Sequence, residues 1–152
     1  MNIRSSVSND IPALQQIADS TGLFPSELLP EMMEPHLSGR KRNCVWLTCE
    51  VDDQAIGFCY AIEETFADGT WNMLALAVLP EQQGNGAGRT LVASLEKLLR
   101  SQNNRVLFVD TSGAESFAGT RSFYERCGYT EEARIRDFWA PGDDKVVFWK
   151  AL

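Results

Sequence analysis

The chain has 152 residues, 44% of them hydrophobic and 23% charged, a composition that suits one folded domain over residues 1–152 and argues against a disordered or fibrous protein. Its 14 basic and 21 acidic residues leave a formal charge of −7, which disfavours nucleic acid and anionic membrane as partners, since both attract clustered Lys and Arg, and favours a cationic or amine-bearing one. Cys44, Cys49, Cys59 and Cys127 show no C-x-x-C spacing and are expected as buried thiols rather than metal ligands or disulfides. No apolar run nears the roughly 18 residues that a membrane helix requires, and without a charged-then-apolar leader the expectation is a cytoplasmic protein.

In chain order, "NIRSS" is expected as a short strand, followed by a helix capped at Ser8 or Asn9 with Ile11, Leu14, Ile17 and Ala18 on one face. In "FPSELLPEMMEPHLSG" the apolar spacing of Leu28, Leu29, Met32, Met33 and Leu37 is helical, but Pro30 and Pro35 are expected to reduce it to one or two short, irregular turns. From Cys44 the period becomes two: Val45, Leu47, Cys49 and Val51 alternate with Trp46, Thr48 and Glu50, and "DDQ" turns the chain into a second strand over 55–64. "TWNMLALAV" follows as a central strand, its nearly continuous apolar run implying cover on both faces. A helix then places Leu91, Val92, Leu95, Leu98 and Leu99 inward, with Glu96, Lys97 and Arg100 away from that face. "RVLFVDT" is a buried strand, "SFAGTRSFYERCG" a helix closed by Gly128, and the last two segments form a strand pair across a turn at Pro141 and Gly142. This order implies a mixed sheet with helices on both faces.

Between the central strand and its helix lies "LPEQQGNGAG", with Gly84, Gly86 and Gly88 in five positions. Unpaired N–H groups at a helix start form an anion site, and glycines there suggest close approach of a ligand such as phosphate. A P-loop would need G-x-x-x-x-G-K-[ST] and a dinucleotide site G-x-G-x-x-G; the stretch is neither.

"LALAVLPEQQGNGAGRTLVASL" resembles the GNAT superfamily of acyl-CoA-dependent N-acetyltransferases, whose pyrophosphate loop [QR]-x-x-G-x-[GA] is filled here by Gln83, Gly86 and Gly88. "TRSFYERCGY" resembles a later helix of that family, in which a tyrosine follows an aromatic residue and a glycine closes the helix. The resemblance implies an α/β fold with a mixed, mostly antiparallel sheet of six to seven strands flanked by about four helices. It implies acetyl-CoA as co-substrate without a metal, its pyrophosphate on the main chain of Gln83, Gly84, Asn85, Gly86, Ala87, Gly88 and Arg89. The pantetheine would pair with Leu76, Ala77 and Val78, the Val78 amide holding the thioester oxygen and Tyr124 protonating the leaving thiolate.

The implied reaction is direct acetyl transfer to a primary amine in a ternary complex, on a small molecule such as an amino acid, a polyamine or an aminoglycoside-like compound. A protein or peptide amine, or a non-catalytic coenzyme A-binding module, is the alternative. An exposed strand or helix of such a fold offers a surface for a homodimer. An alkyl ammonium must lose a proton before it attacks. Some family members carry a glutamate eleven positions before the loop, where this chain has Asn72, so Glu63, Glu64 and Asp110 are the acidic candidates, with exposed strand-end charges as the plainer reading of each. Phe117 and Thr120 stand where many members place asparagine and alanine. His36 is expected near the acceptor cleft, more as a surface residue than as a base, while Phe24, Trp71, Phe138 and Trp139 line that cleft or belong to the core. The acids Asp143 and Asp144 are solvated at the last turn or placed to attract a cation.

Overall fold

In a computed structural model describing residues 1–40 and 43–152, the run Cys44–Val51 forms β2, and its alternation serves two cores. Val45, Leu47 and Cys49 join one buried cluster and Trp46 the other. The remaining strands are β1 (Asn2–Ser5), β3 (Gln54–Glu63), β4 (Thr70–Val78), β5 (Val106–Ser112), β6 (Thr130–Ala140) and β7 (Asp143–Ala151). Among the described residues these seven form one sheet in the order β1-β2-β3-β4-β5-β7-β6, antiparallel throughout except for β4 beside β5. The expected mixed, mostly antiparallel sheet is therefore present, with β4 at its centre.

Four α-helices flank it. α1 (Ile11–Thr21) and α2 (Leu29–Ser38) bury Leu14, Ile17, Ala18, Leu29 and Met33 against Trp46, Phe58, Ala75 and Ala77 on one face. α3 (Ala87–Ser101) and α4 (Ala118–Arg126) cover the other, where Leu91, Val92, Leu95, Leu99 and Tyr124 meet Met73, Val78, Leu107 and Phe148.

Three local expectations are corrected. Ser8 and Asn9 do not cap α1; Ser8–Asp10 is a 3-10 turn, in which the Asp10 carboxylate accepts the Val7 N–H at 2.8 Å and pairs with Arg4 at 2.7 and 2.8 Å. The prolines do not shatter α2: Pro30 occupies the first turn, where the missing N–H is not needed, and the fully buried Leu29 and Met33 hold the helix through Pro35. Glu96 is not on the solvated side of α3 but buried, accepting the Tyr129 hydroxyl at 3.0 Å and the Lys150 ammonium at 3.0 and 2.9 Å.

Along β4 the pairing with β3 skips a residue, since Tyr60 faces Ala75 while Ala61 faces Met73. Leu74 is the extra residue of this bulge and is exposed, the one break in an otherwise covered strand. β5 stays beside β4 only from Thr70↔Val106 to Met73↔Val109. Past that point the two strands separate, leaving a gap next to the last residues of β4.

Candidate active site

The loop leaving β4 makes a 3-10 turn over Pro80–Gln82 and enters α3 through Gly84 at φ +81° and Gly86 at φ +86°. A Cβ at either glycine would meet open space, so the left-handed backbone, not crowding, is what selects them. Gly88 is different: its φ is not left-handed, and a Cβ there would rest in ordinary contact with the Phe123 ring at 3.4 Å. The Gln83 amide nitrogen donates to the Val78 carbonyl at 3.0 Å and ties the loop back to β4.

The first helical bond runs from Thr90 N–H to the Gly86 carbonyl, leaving the N–H groups of Ala87, Gly88 and Arg89 without partners inside the helix. They border a cavity of about 640 Å³ between the end of β4, the loop and α4. Of the residues expected at the site, Leu76, Val78, Gln83, Gly84, Gly86, Ala87, Gly88, Arg89 and Tyr124 line this one cavity. Ala77 lies under α1 and α2 instead, and Asn85 is not among the lining residues. The α4 side adds Thr120, which the family resemblance of that helix singles out, and Phe123, Arg126 and Cys127, which the sequence reading missed because only packing sets which side of the helix they share. In a chain with 21 acidic residues, no Asp or Glu lines the cavity among the described residues, whereas Arg89 and Arg126 both do. With the helix N-terminus adding its own positive end, the cavity is built for an anion.

Main-chain direction at the inner end follows from the ladder. The Leu79 N–H donates to the Ile56 carbonyl at 2.9 Å, so alternation turns Ala77 toward β3 and Leu76 and Val78 away from it, into the gap. Tyr124 is 5% exposed, its ring against Phe123, Tyr129 and Phe148, and its hydroxyl makes no hydrogen bond to a described residue. Burial pushes this phenol well above the ordinary tyrosine range, so it stays protonated wherever the protein is folded near neutral pH.

Glu63 and Glu64 lie outside this cavity. Glu63 faces Trp71 at the start of β4, and the Glu64 N–H donates to Thr70, beside the stretch where β4 and β5 are still joined. Asn72 and Asp110 are brought together on β4 and β5, the Asn72 amide donating to Asp110 Oδ2 at 3.3 Å, with the Lys145 ammonium 3.2 Å from the same oxygen. His36 sits instead against β1, its Nε2 3.1 Å from the Ser6 carbonyl. Trp71 is core and Phe24 packs edge-on against Phe58, while Phe138 and Trp139 stand half exposed on β6. Among the described residues no three His, Cys, Asp or Glu side chains converge as a metal site, and no helix is long and apolar enough to cross a membrane.

A model of the acetyltransferase (GNAT) family matches residues 12–129. The chain is 27% identical to an aminoglycoside N(6')-acetyltransferase type 1 of Stenotrophomonas maltophilia, over 91% of this chain and 92% of that protein. Its fold superposes with a TM-score of 0.92 on a protein of Desulfovibrio desulfuricans assigned to the GNAT family, at 30% identity and over 99% and 98% of the two chains. An aminoglycoside 6'-N-acetyltransferase complexed with coenzyme A shares the fold at a TM-score of 0.82 and 19% identity, over 99% and 97%. Loop, cavity, sheet and family match agree: this chain belongs to the GNAT superfamily of acetyltransferases and is an acyl-transferring enzyme.

Proposed function

We propose that the enzyme transfers acetyl from acetyl-CoA to the primary amine of a small molecule by direct attack in a ternary complex. The observation that carries this reading is the cavity lined by Arg89 of α3 and Arg126 of α4, with no acid among its described lining residues, leading to Tyr124 and the open edge of β4. The coenzyme pyrophosphate would lie on the loop and helix N–H groups from Gln83 to Arg89. The pantetheine arm would continue the sheet along Leu76 and Val78, whose main-chain groups face the gap. Ala77, turned toward β3, supports that strand from behind rather than pairing with the arm.

In the reaction the amine nitrogen bonds to the thioester carbonyl carbon while the Val78 N–H holds the oxygen that gains charge. As the carbon–sulfur bond breaks, the pair stays on sulfur, and Tyr124 donates to it. A phenol held neutral so firmly by burial is a weaker acid than an ordinary tyrosine. It therefore serves the leaving sulfur as a hydrogen-bond donor that stabilises the thiolate, solvent making good any proton it passes on. The likeness to an aminoglycoside acetyltransferase over 91% of the chain and the acids Asp110, Asp143 and Asp144 near the separated strands support a small cationic acceptor.

The test is release of free coenzyme A from acetyl-CoA across amino acids, polyamines, aminoglycosides and lysine peptides, with a blank lacking acceptor. Turnover of one small-amine class is expected. Turnover of peptides alone would move the acceptor to proteins, and coenzyme binding without turnover of any amine would overturn the transfer reading in favour of a binding module.

A further inference from the structure

Acetyl transfer requires an amine that has shed a proton, because an alkyl ammonium with a pKa near 10.4 offers no electron pair at neutral pH. The β4 position at which some family members carry a glutamate holds Asn72, and Glu63 and Glu64 stand beside Trp71 and Thr70, where the sheet is closed. Asp110 directly follows Val109, the last β5 residue paired with β4. It therefore stands where the strands part.

Its face is equally informative. Leu107 and Val109 belong to the cluster under α3 and α4, so strand alternation turns Asp110 to the opposite face, that of α1 and α2. A coenzyme in the α4-side cavity and an amine arriving on the other face would meet through the gap between β4 and β5. Asp110 Oδ2 takes the Asn72 amide at 3.3 Å and the Lys145 ammonium at 3.2 Å. Asp110 Oδ1 and Asn72 Oδ1 are both buried and have no donor among the described residues, although Asn72 is only 7% exposed. A buried acceptor left unpaired is costly, and two on residues joined by a hydrogen bond suit a donor with several hydrogens, an ammonium or a water. That an ammonium fits this setting is visible in Lys145, whose Nζ also lies 4.5 Å from the centre of the Phe138 ring.

Resting on the acetyl-transfer reading, we propose that Asp110 is the residue that takes the acceptor's proton, directly or through one water, with Asn72 and Lys145 positioning its carboxylate at the gap. One N–H bond of the ammonium breaks to Asp110, its pair staying on nitrogen to form the bond to the acetyl carbon; a second N–H proton leaves as the amide forms, and of the two protons one goes to solvent and one balances the protonation of the coenzyme sulfur. The coenzyme sulfur keeps the pair of the broken carbon–sulfur bond and is protonated from the Tyr124 side. Lys145 is the charged group in contact with Asp110; Asp143, held by the Ser112 hydroxyl, and Asp144 follow on the same hairpin.

The experiment measures kcat against pH for the wild type and Asp110→Asn, using the amine that the panel identifies, together with thermal stabilisation by acetyl-CoA. Asp110→Asn is expected to lower kcat by about 100-fold or more, to move the rise of kcat with pH upward toward the amine's own pKa of about 10.4, and to keep the coenzyme stabilisation of the wild type. Asn72→Ala is expected to lower kcat by a smaller factor with the rise unmoved. An unchanged kcat, or a rise unmoved in Asp110→Asn, overturns the assignment and leaves acetyl transfer standing. A wild type that neither gains stability from acetyl-CoA nor releases coenzyme A overturns both. Should Asp110→Asn fail to fold, Asp110→Ser removes the same carboxylate and is read by the same criteria.

Discussion

The proposed reaction assigns Tyr124 and Gly86 two separable roles. Tyr124→Phe removes one hydroxyl that has no partner among the described residues, so the fold and acetyl-CoA stabilisation should survive while kcat falls by about 100-fold or more. A kcat equal to that of the wild type would take the leaving sulfur away from this residue. Gly86→Val acts on the opposite property: at φ +86° a β-branched side chain is strained wherever it points. The loop must then change shape, and acetyl-CoA stabilisation should be lost in thermal melts even though α3 retains its buried face. How readable such residues are in the bare sequence depends on whether their partners are local. Gln83, Gly84, Gly86 and Tyr124 sit in short stretches whose spacing carries the chemistry, and the structure gathers them around one cavity. The Asn72, Asp110 and Lys145 cluster draws on β4, β5 and β7, its first two members 38 residues apart. No local pattern announces that contact.

At the scale of elements, α3 does more than the amphipathic period of its sequence conveys. Its apolar face packs on the sheet as the spacing of Leu91, Val92, Leu95 and Leu99 suggests, but Glu96 also reaches inward to the Tyr129 hydroxyl and the Lys150 ammonium. Lys150 donates further to the Cys127 carbonyl at 2.8 Å, so one acid fastens α3, the end of α4 and β7 together. Helical periodicity assigns a glutamate to the solvated side, and only the distant β7 reverses that assignment. Glu96→Gln leaves the partly buried Lys150 ammonium without its countercharge and should cost about 1–3 kcal/mol, read as a lower denaturation midpoint. A similar limit explains α2: Pro35 argues locally for a break, and the burial of Leu29 and Met33 prevails. β6, by contrast, is exposed at each of its eleven positions, and its alternation shows no buried stripe that sequence could have reported.

For the molecule as a whole, charge and stability meet at its N-terminal edge. Hydrogen bonds from Arg4 are the main reason the Asp10 carboxylate titrates below the ordinary range, and the Val7 N–H adds to them. The folded chain thus holds this group deprotonated more firmly than the unfolded one does. Its contribution is complete above the ordinary carboxylate pKa of about 3.9 and disappears as pH falls through that value toward the lower folded one. Asp10→Asn should therefore lower the melting temperature at pH 7, and the difference from wild type should shrink by pH 3. The same global view applies to the sheet. Every antiparallel neighbour of β3 and β5 runs for seven or more registered positions, but β4 and β5 share four. Under load across the strands this short parallel join is the weak line within the body of the sheet, with β1 to β4 on one side and β5 to β7 on the other, the outer β1–β2 join being equally short. What bolts the halves together is α3 and the apolar cluster beneath it, so the weakness that opens a reaction gap is reinforced from the back.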